Sequence, residues 1–135
     1  MQNLKNLAAA TQVLEALVIT TASTTTNGAT IDRSTLPEAE DITFIAKAHS
    51  LGGGTVTFKV QESADNFTTP VDVAGATFAA VADTPVMISL VQESRLQYVR
   101  LVAVLAGATS AVFSGEAIVY ALKRQPVSGS SLIVV

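Results

Sequence analysis

The sequence predicts an all-β fold, an antiparallel β-sandwich of jelly-roll type, and three observations predict it. The run Thr55-Val56-Thr57-Phe58-Lys59-Val60-Gln61 alternates apolar and polar residues without a break, as a half-buried strand requires. Turn chemistry recurs at short spacing, at Asn27-Gly28, Gly52-Gly53-Gly54, Asp83-Thr84-Pro85 and Ala106-Gly107-Ala108. Beyond residue 18 no long stretch carries an apolar stripe at helical spacing, so roughly eight short strands fill the rest of the chain.

Taken in order, Leu4, Leu7, Leu14 and Val18 recur at helical spacing and predict a short N-terminal helix or an arm over residues 1–17. Such a segment packs on its own domain or docks on a neighbouring subunit. The β-branched residues Val18, Ile19, Thr20 and Thr21 open the sandwich domain, assigned to residues 18–127. Asn27-Gly28 supplies the positive φ of a tight hairpin, with Ala29 to Asp32 as the returning strand. Pro37 lies in a loop, because it offers no ladder donor. Strands follow at residues 42–48, at 55–61, and as two short pieces around Val71 and Phe78 that Ala74-Gly75-Ala76 divides. The last three run over residues 86–91, 97–105 and 111–122, with Gly115 a candidate bulge. Residues 128–135 form an extended C-terminal tail in which Ser128-Gly129-Ser130-Ser131 tethers an apolar tip, Leu132-Ile133-Val134-Val135.

Composition narrows the function classes. The 135 residues are 49% apolar and only 14% charged, where an ordinary domain carries about 25% charge. Residues 98–105 and 111–122 are apolar on both alternating faces, which calls for cover on both sides and favours another subunit as the second cover. A net charge of −3 with no basic stripe argues against nucleic acid and anionic membranes as partners. The apolar runs are also far shorter than the roughly 20 residues a membrane-spanning helix needs, and Gln12 and Glu15 interrupt any signal-peptide core.

Chemistry-bearing constellations are sparse. With one histidine, His49, and no cysteine, a transition-metal site has few ligands and a catalytic triad one possible base. Glu38, Glu40 and Asp41, like Glu62, Asp65 and Asn66, read as solvated acidic loops rather than calcium loops. Gly52-Gly53-Gly54 lacks the lysine of a phosphate-binding loop, and Asn66-Phe67-Thr68 matches a glycosylation sequon. The expectation is a protein that is not an enzyme and takes no cofactor and no metal. Its candidate interface residues are Leu4, Leu7, Leu14, Tyr98, Arg100, Tyr120, Leu132, Ile133, Val134 and Val135. Arg100, set between Val99 and Leu101, is the charged side chain expected to be paired at an interface or sheet edge.

Four stretches carry a family likeness: Thr55 through Phe58, Lys59 and Glu62 to Asp65-Asn66; Val71-Asp72-Val73-Ala74-Gly75-Ala76-Thr77-Phe78; Tyr98-Val99-Arg100-Leu101-Val102; and Lys123-Arg124-Gln125-Pro126-Val127. In order and spacing, over residues 18–127, the chain resembles the small β-sandwich decoration, or cement, proteins of tailed-bacteriophage capsids. It departs from the family at Val71, where an aromatic is common, and at Gln97, where a basic residue is. The resemblance implies a virion protein on the outer capsid surface that binds the major capsid protein and itself as a homo-oligomer, a trimer in preference to a dimer. Two other readings stay open, a tail or head-completion component and a glycan-binding sandwich module resting on Tyr98 or Tyr120.

Overall fold

The computed structural model describes residues 8–19, 23–35, 41–91, 94–107 and 111–120. Among them the chain is an antiparallel two-sheet β-sandwich. Its strands are β1 (Ala8–Ile19), β2 (Ser23–Asn27), β3 (Ile31–Asp32), β4 (Asp41–Ser50), β5 (Thr55–Ser63), β6 (Val71–Ala79), β7 (Pro85–Val91), β8 (Tyr98–Ala106) and β9 (Ala111–Tyr120). One sheet has the order β1-β9-β4-β7, and the other the order β2-β8-β5-β6 with β3 also on β8. The ladders nest, β1 with β9, β2 with β8, β4 with β7 and β5 with β6, as if one long hairpin had been folded over. Its rungs fall alternately in the two sheets.

The alternation in residues 55–61 is realised as read. Val56, Phe58 and Val60 are fully buried, while Thr57, Lys59 and Gln61 lie on the outer face of β5. They meet Ile42, Phe44, Ala46 and Ala48 of β4, Leu101 and Ala103 of β8 and Phe113 of β9 in one core. The Phe58 and Phe113 rings bridge the two sheets edge to face, 6.2 Å apart at 75°.

The N-terminal helix is not formed over the described residues: residues 8–19 are strand β1, paired to β9. Of the four residues at helical spacing, Leu14 and Val18 lie in β1, whose pairing is irregular around Leu14, and Leu4 and Leu7 lie outside the described residues. Leu14 and Leu17, three apart, sit opposite Gly115 and Phe113, two apart, and a further shift lies between Gln12 and Leu14. Each shift adds a residue to β1, so a period of two reads locally as three. The extra residues therefore belong to β1, and Gly115, the expected bulge, faces them.

Asn27-Gly28 does not turn a hairpin. Asn27 pairs with Val102 and Ile31 with Val99, so β2 and β3 follow one another along the same neighbour, β8. The Gly28 amide continues the ladder with a 2.7 Å bond to the Leu101 carbonyl. β6 is likewise one strand rather than two, with Ala74-Gly75-Ala76 absorbed as a bulge between the Lys59–Thr77 and Gln61–Asp72 pairs. The second face of β8 also differs from expectation. Val102, on the side away from the core, is fully buried within the single chain. The Pro37 loop and residues 128–135 lie outside the described residues.

Candidate functional site

The outer face of the β2-β8-β5-β6 sheet carries a braced row of side chains. Strand register builds it: Gln61 on β5 stands opposite Asp72 of β6 on one side and Arg100 of β8 on the other. Gln61 Nε2 donates to Asp72 Oδ1 at 2.7 Å, and its Oε1 accepts from Arg100 Nε at 3.1 Å and Nη2 at 2.8 Å. One register position along, Lys59 Nζ closes on Asp72 Oδ2 at 2.9 Å. These bonds hold the Asp72 carboxyl below its ordinary pKa, Lys59 contributing most and Gln61 next. The row ends where the Arg100 guanidinium stacks 4.0 Å above the centre of the Phe67 ring. Burial lowers the Arg100 pKa, and the ring face and the amide oxygen replace the water that it loses.

Phe67 reaches that position because of the turn that follows β5. Ser63 is fully buried, and its Oγ accepts from the amides of Asp65 at 3.1 Å and Phe67 at 2.9 Å while donating to Asp65 Oδ1. Asp65 in turn accepts from the Thr69 amide at 3.0 Å and from the Thr69 hydroxyl. Asn66 and Phe67 are held at φ of +53° and +66°, a left-handed conformation that side chains other than glycine rarely adopt. The Ser63 and Thr69 bonds draw the Asp65 pKa down to about 2. The acidic residues of this stretch thus serve the backbone, and Glu62 does the same further along. Its Oε2 accepts from the Leu96 amide at 3.0 Å, and its Oε1 lies 3.6 Å from Arg95. Among the described residues no cluster of three or more His, Asp or Glu side chains is arranged to hold a metal ion.

The structure sorts the expected residues as follows. Arg100 is paired, yet in an interior strand rather than at a sheet edge, and half-buried Tyr98 lies two residues before it on the same face. Tyr120 stands in β9 of the other sheet, opposite Asp41. Leu14 lies in β1 opposite Gly115. Leu4, Leu7, Leu132, Ile133, Val134 and Val135 lie outside the described residues. His49 is exposed at the end of β4, with Nε2 3.1 Å from Ser114 Oγ in the middle of β9. Sequence reading passed over Gln61 and Phe67 as site residues. The Ser63, Asp65 and Thr69 spacing was the available signal for the turn, whereas the stacking of Phe67 on Arg100 depends on a non-local register.

No model of a known protein family matches the chain, and no curated protein does. Solved structures do share its fold. The PBSX exported protein XepA superposes on the whole of this chain with a TM-score of 0.64 at 16% identity, and the chain spans 45% of that protein's length. A protein of the disulfide-linked pili of Bacillus endospore appendages matches 86% of this chain and 89% of its own at a TM-score of 0.51 and 15% identity. At such identities the likeness establishes a common sandwich architecture.

Proposed function

We propose that this chain is a non-enzymatic structural protein of a tailed-phage virion, which binds the outside of the capsid through the major capsid protein and stabilises the shell by contacts between subunits. The observation that carries the reading is the braced row Asp72, Lys59, Gln61, Arg100 and Phe67 on the outer face of one sheet. Arginine and aromatic side chains dominate binding energy at protein interfaces. Side chains already fixed by neighbours lose less freedom on docking, so the row is pre-ordered for a protein partner. The nested strand order, wired as a jelly roll, supports the reading because the architecture recurs in viral capsid domains. The sandwich shared with the PBSX exported protein XepA is compatible with it. The disulfide linkage of the appendage pili has no counterpart here, since the chain has no cysteine.

Co-sedimentation with purified expanded capsids tests the proposal. The wild-type chain is expected to pellet with capsids and raise their resistance to heat. Arg100→Ala and Phe67→Ala are each expected to weaken binding about tenfold, or ~1.4 kcal/mol, with the circular-dichroism spectrum unchanged. A folded wild-type chain that stays in the supernatant sinks the proposal, and variants that bind as the wild type does remove the row from it. Because β1 is part of the sheet, the contribution of the terminal segments is tested by deleting residues 1–7 and 128–135 only.

A further inference from the structure

Among the described residues a sandwich of this strand order has four sheet edges, and they are not alike. Unpaired edges invite pairing with another chain, and proteins blunt them with bulges, charges or short strands. Here β1 carries two register shifts, β2 stops at Asn27 before β3 resumes, and β6 is broken by its bulge with Gly75 at φ +78°. β7 has none of these devices, and proline, another of them, stands only at its first position, Pro85. Its seven residues, Pro85-Val86-Met87-Ile88-Ser89-Leu90-Val91, pair with β4 without a shift and carry no charge. Among the described residues its other side is an open edge.

The surroundings of that edge are apolar. Of the large hydrophobic side chains exposed among the described residues, Met87 (64%) is on β7, Val81 (63%) in the connection from β6 to β7, and Val71 (51%) and Phe78 (39%) on β6. Residues 80–84 link β6 and β7 directly, so these side chains belong to one flank of the sandwich.

We infer that this flank is a two-fold interface with a second copy of the chain, formed by antiparallel pairing of β7 with β7. The strand is self-complementary about its central residue. With Ile88 on the two-fold axis, Val86 meets Leu90 of the partner subunit and Met87 meets Ser89 of the partner subunit. Core-facing residues then lie against core-facing residues, and a one-residue slip would set them against the outer face. Charge permits the pairing as well, because no ionised group falls opposite another within the ladder. Area sets its extent: a stable interface needs about 800 Å² per partner, more than a seven-residue ladder covers, so the Phe78, Val81 and Met87 side chains belong to it. The symmetry is that of a dimer, in place of the trimer that the family resemblance favours.

The inference deepens the self-association in the proposed function and is measured without capsids, so neither result decides the other. Light scattering of the full chain over a wide concentration range is expected to show a dimer. Met87→Lys with Ser89→Lys places two like-charge pairs across the axis and is expected to weaken dimerisation at least about tenfold. Met87→Lys with Ser89→Glu places opposite charges there and restores it. Both variants lose the 2.9 Å hydrogen bond between Ser89 and Thr43 equally. A cysteine pair gives a second reading in a chain that has no other: mixed Met87→Cys and Ser89→Cys copies are expected to oxidise to a cross-linked heterodimer. A wild-type monomer at every concentration overturns the inference. So does a dimer indifferent to the charge pattern, or a cysteine mixture that does not cross-link.

Discussion

Asp65 is an exposed residue whose chemistry is entirely local. Its carboxylate is committed to Ser63 and Thr69, which hold its pKa near 2. Because the folded-state value lies below the unfolded one, the unfolded chain binds the extra proton first. The stabilisation is fully present above about pH 4, and it is lost as the pH falls towards 2. The Asp32 carboxyl, lowered mainly by its bond to the Ser34 hydroxyl, adds to the same trend. Thermal melts from pH 5 to pH 2 are therefore expected to show a falling Tm whose slope is reduced in Asp65→Asn. An identical slope in that variant would remove Asp65 from the account. Ser63→Ala strikes the same turn from beneath, leaving the Asp65 and Phe67 amides without their buried acceptor. It is expected to cost about 1–3 kcal/mol in chemical denaturation.

At the scale of the element, the bulge in β6 rests on Gly75. At φ +78° a side chain is strained, yet nothing lies within 4 Å of the place a Cβ would occupy. Gly75→Ala thus isolates the backbone contribution and is expected to destabilise by about 1–2 kcal/mol. A neutral result would mean that the bulge relaxes. The same element shows where the sequence is readable and where it is not. Residues 55–61 were legible because β5 is an interior strand with one wet face and a regular register on β8, so local period and global burial coincide. β1 and β6 were misread because bulges break the period of two, and a broken period looks like helix in one and like a turn in the other. Asn27-Gly28 misled for another reason. Its turn chemistry is real, but both flanking segments find the same partner, β8, and only the tertiary ladder decides that. Arg100 stood out by its apolar neighbours as a side chain to be paired at an interface or sheet edge, whereas its bonds here are to Gln61 of the adjacent strand. Its partners were not legible, since Gln61 lies 39 residues away in sequence and Phe67 arrives through a left-handed turn.

At the scale of the molecule, the proposed binding face and the proposed self-pairing edge lie on different sheets, so the sandwich would present them together only if the two sheets stay locked. The lock is the inner layer, in which Phe58 of β5 meets Phe113 of β9 across the sheets, edge to face. Truncating either ring to alanine would cost about 3–5 kcal/mol, a large share of the 5–15 kcal/mol that holds an ordinary domain together. Leucine is the better probe, keeping most of the volume while removing the edge-to-face geometry. Phe58→Leu and Phe113→Leu are each expected to lose about 1–2 kcal/mol. The double variant should lose less than their sum by about 0.5–1.5 kcal/mol, the aromatic coupling. Denaturant titrations of the four chains measure that difference. A coupling in this range, with a single transition and an unchanged m-value, makes the sandwich one cooperative unit, so that damage under β9 weakens the Arg100 face on the opposite sheet. Additive losses, or two transitions, would instead mean that the sheets open separately, leaving that face independent of the sheet containing β7.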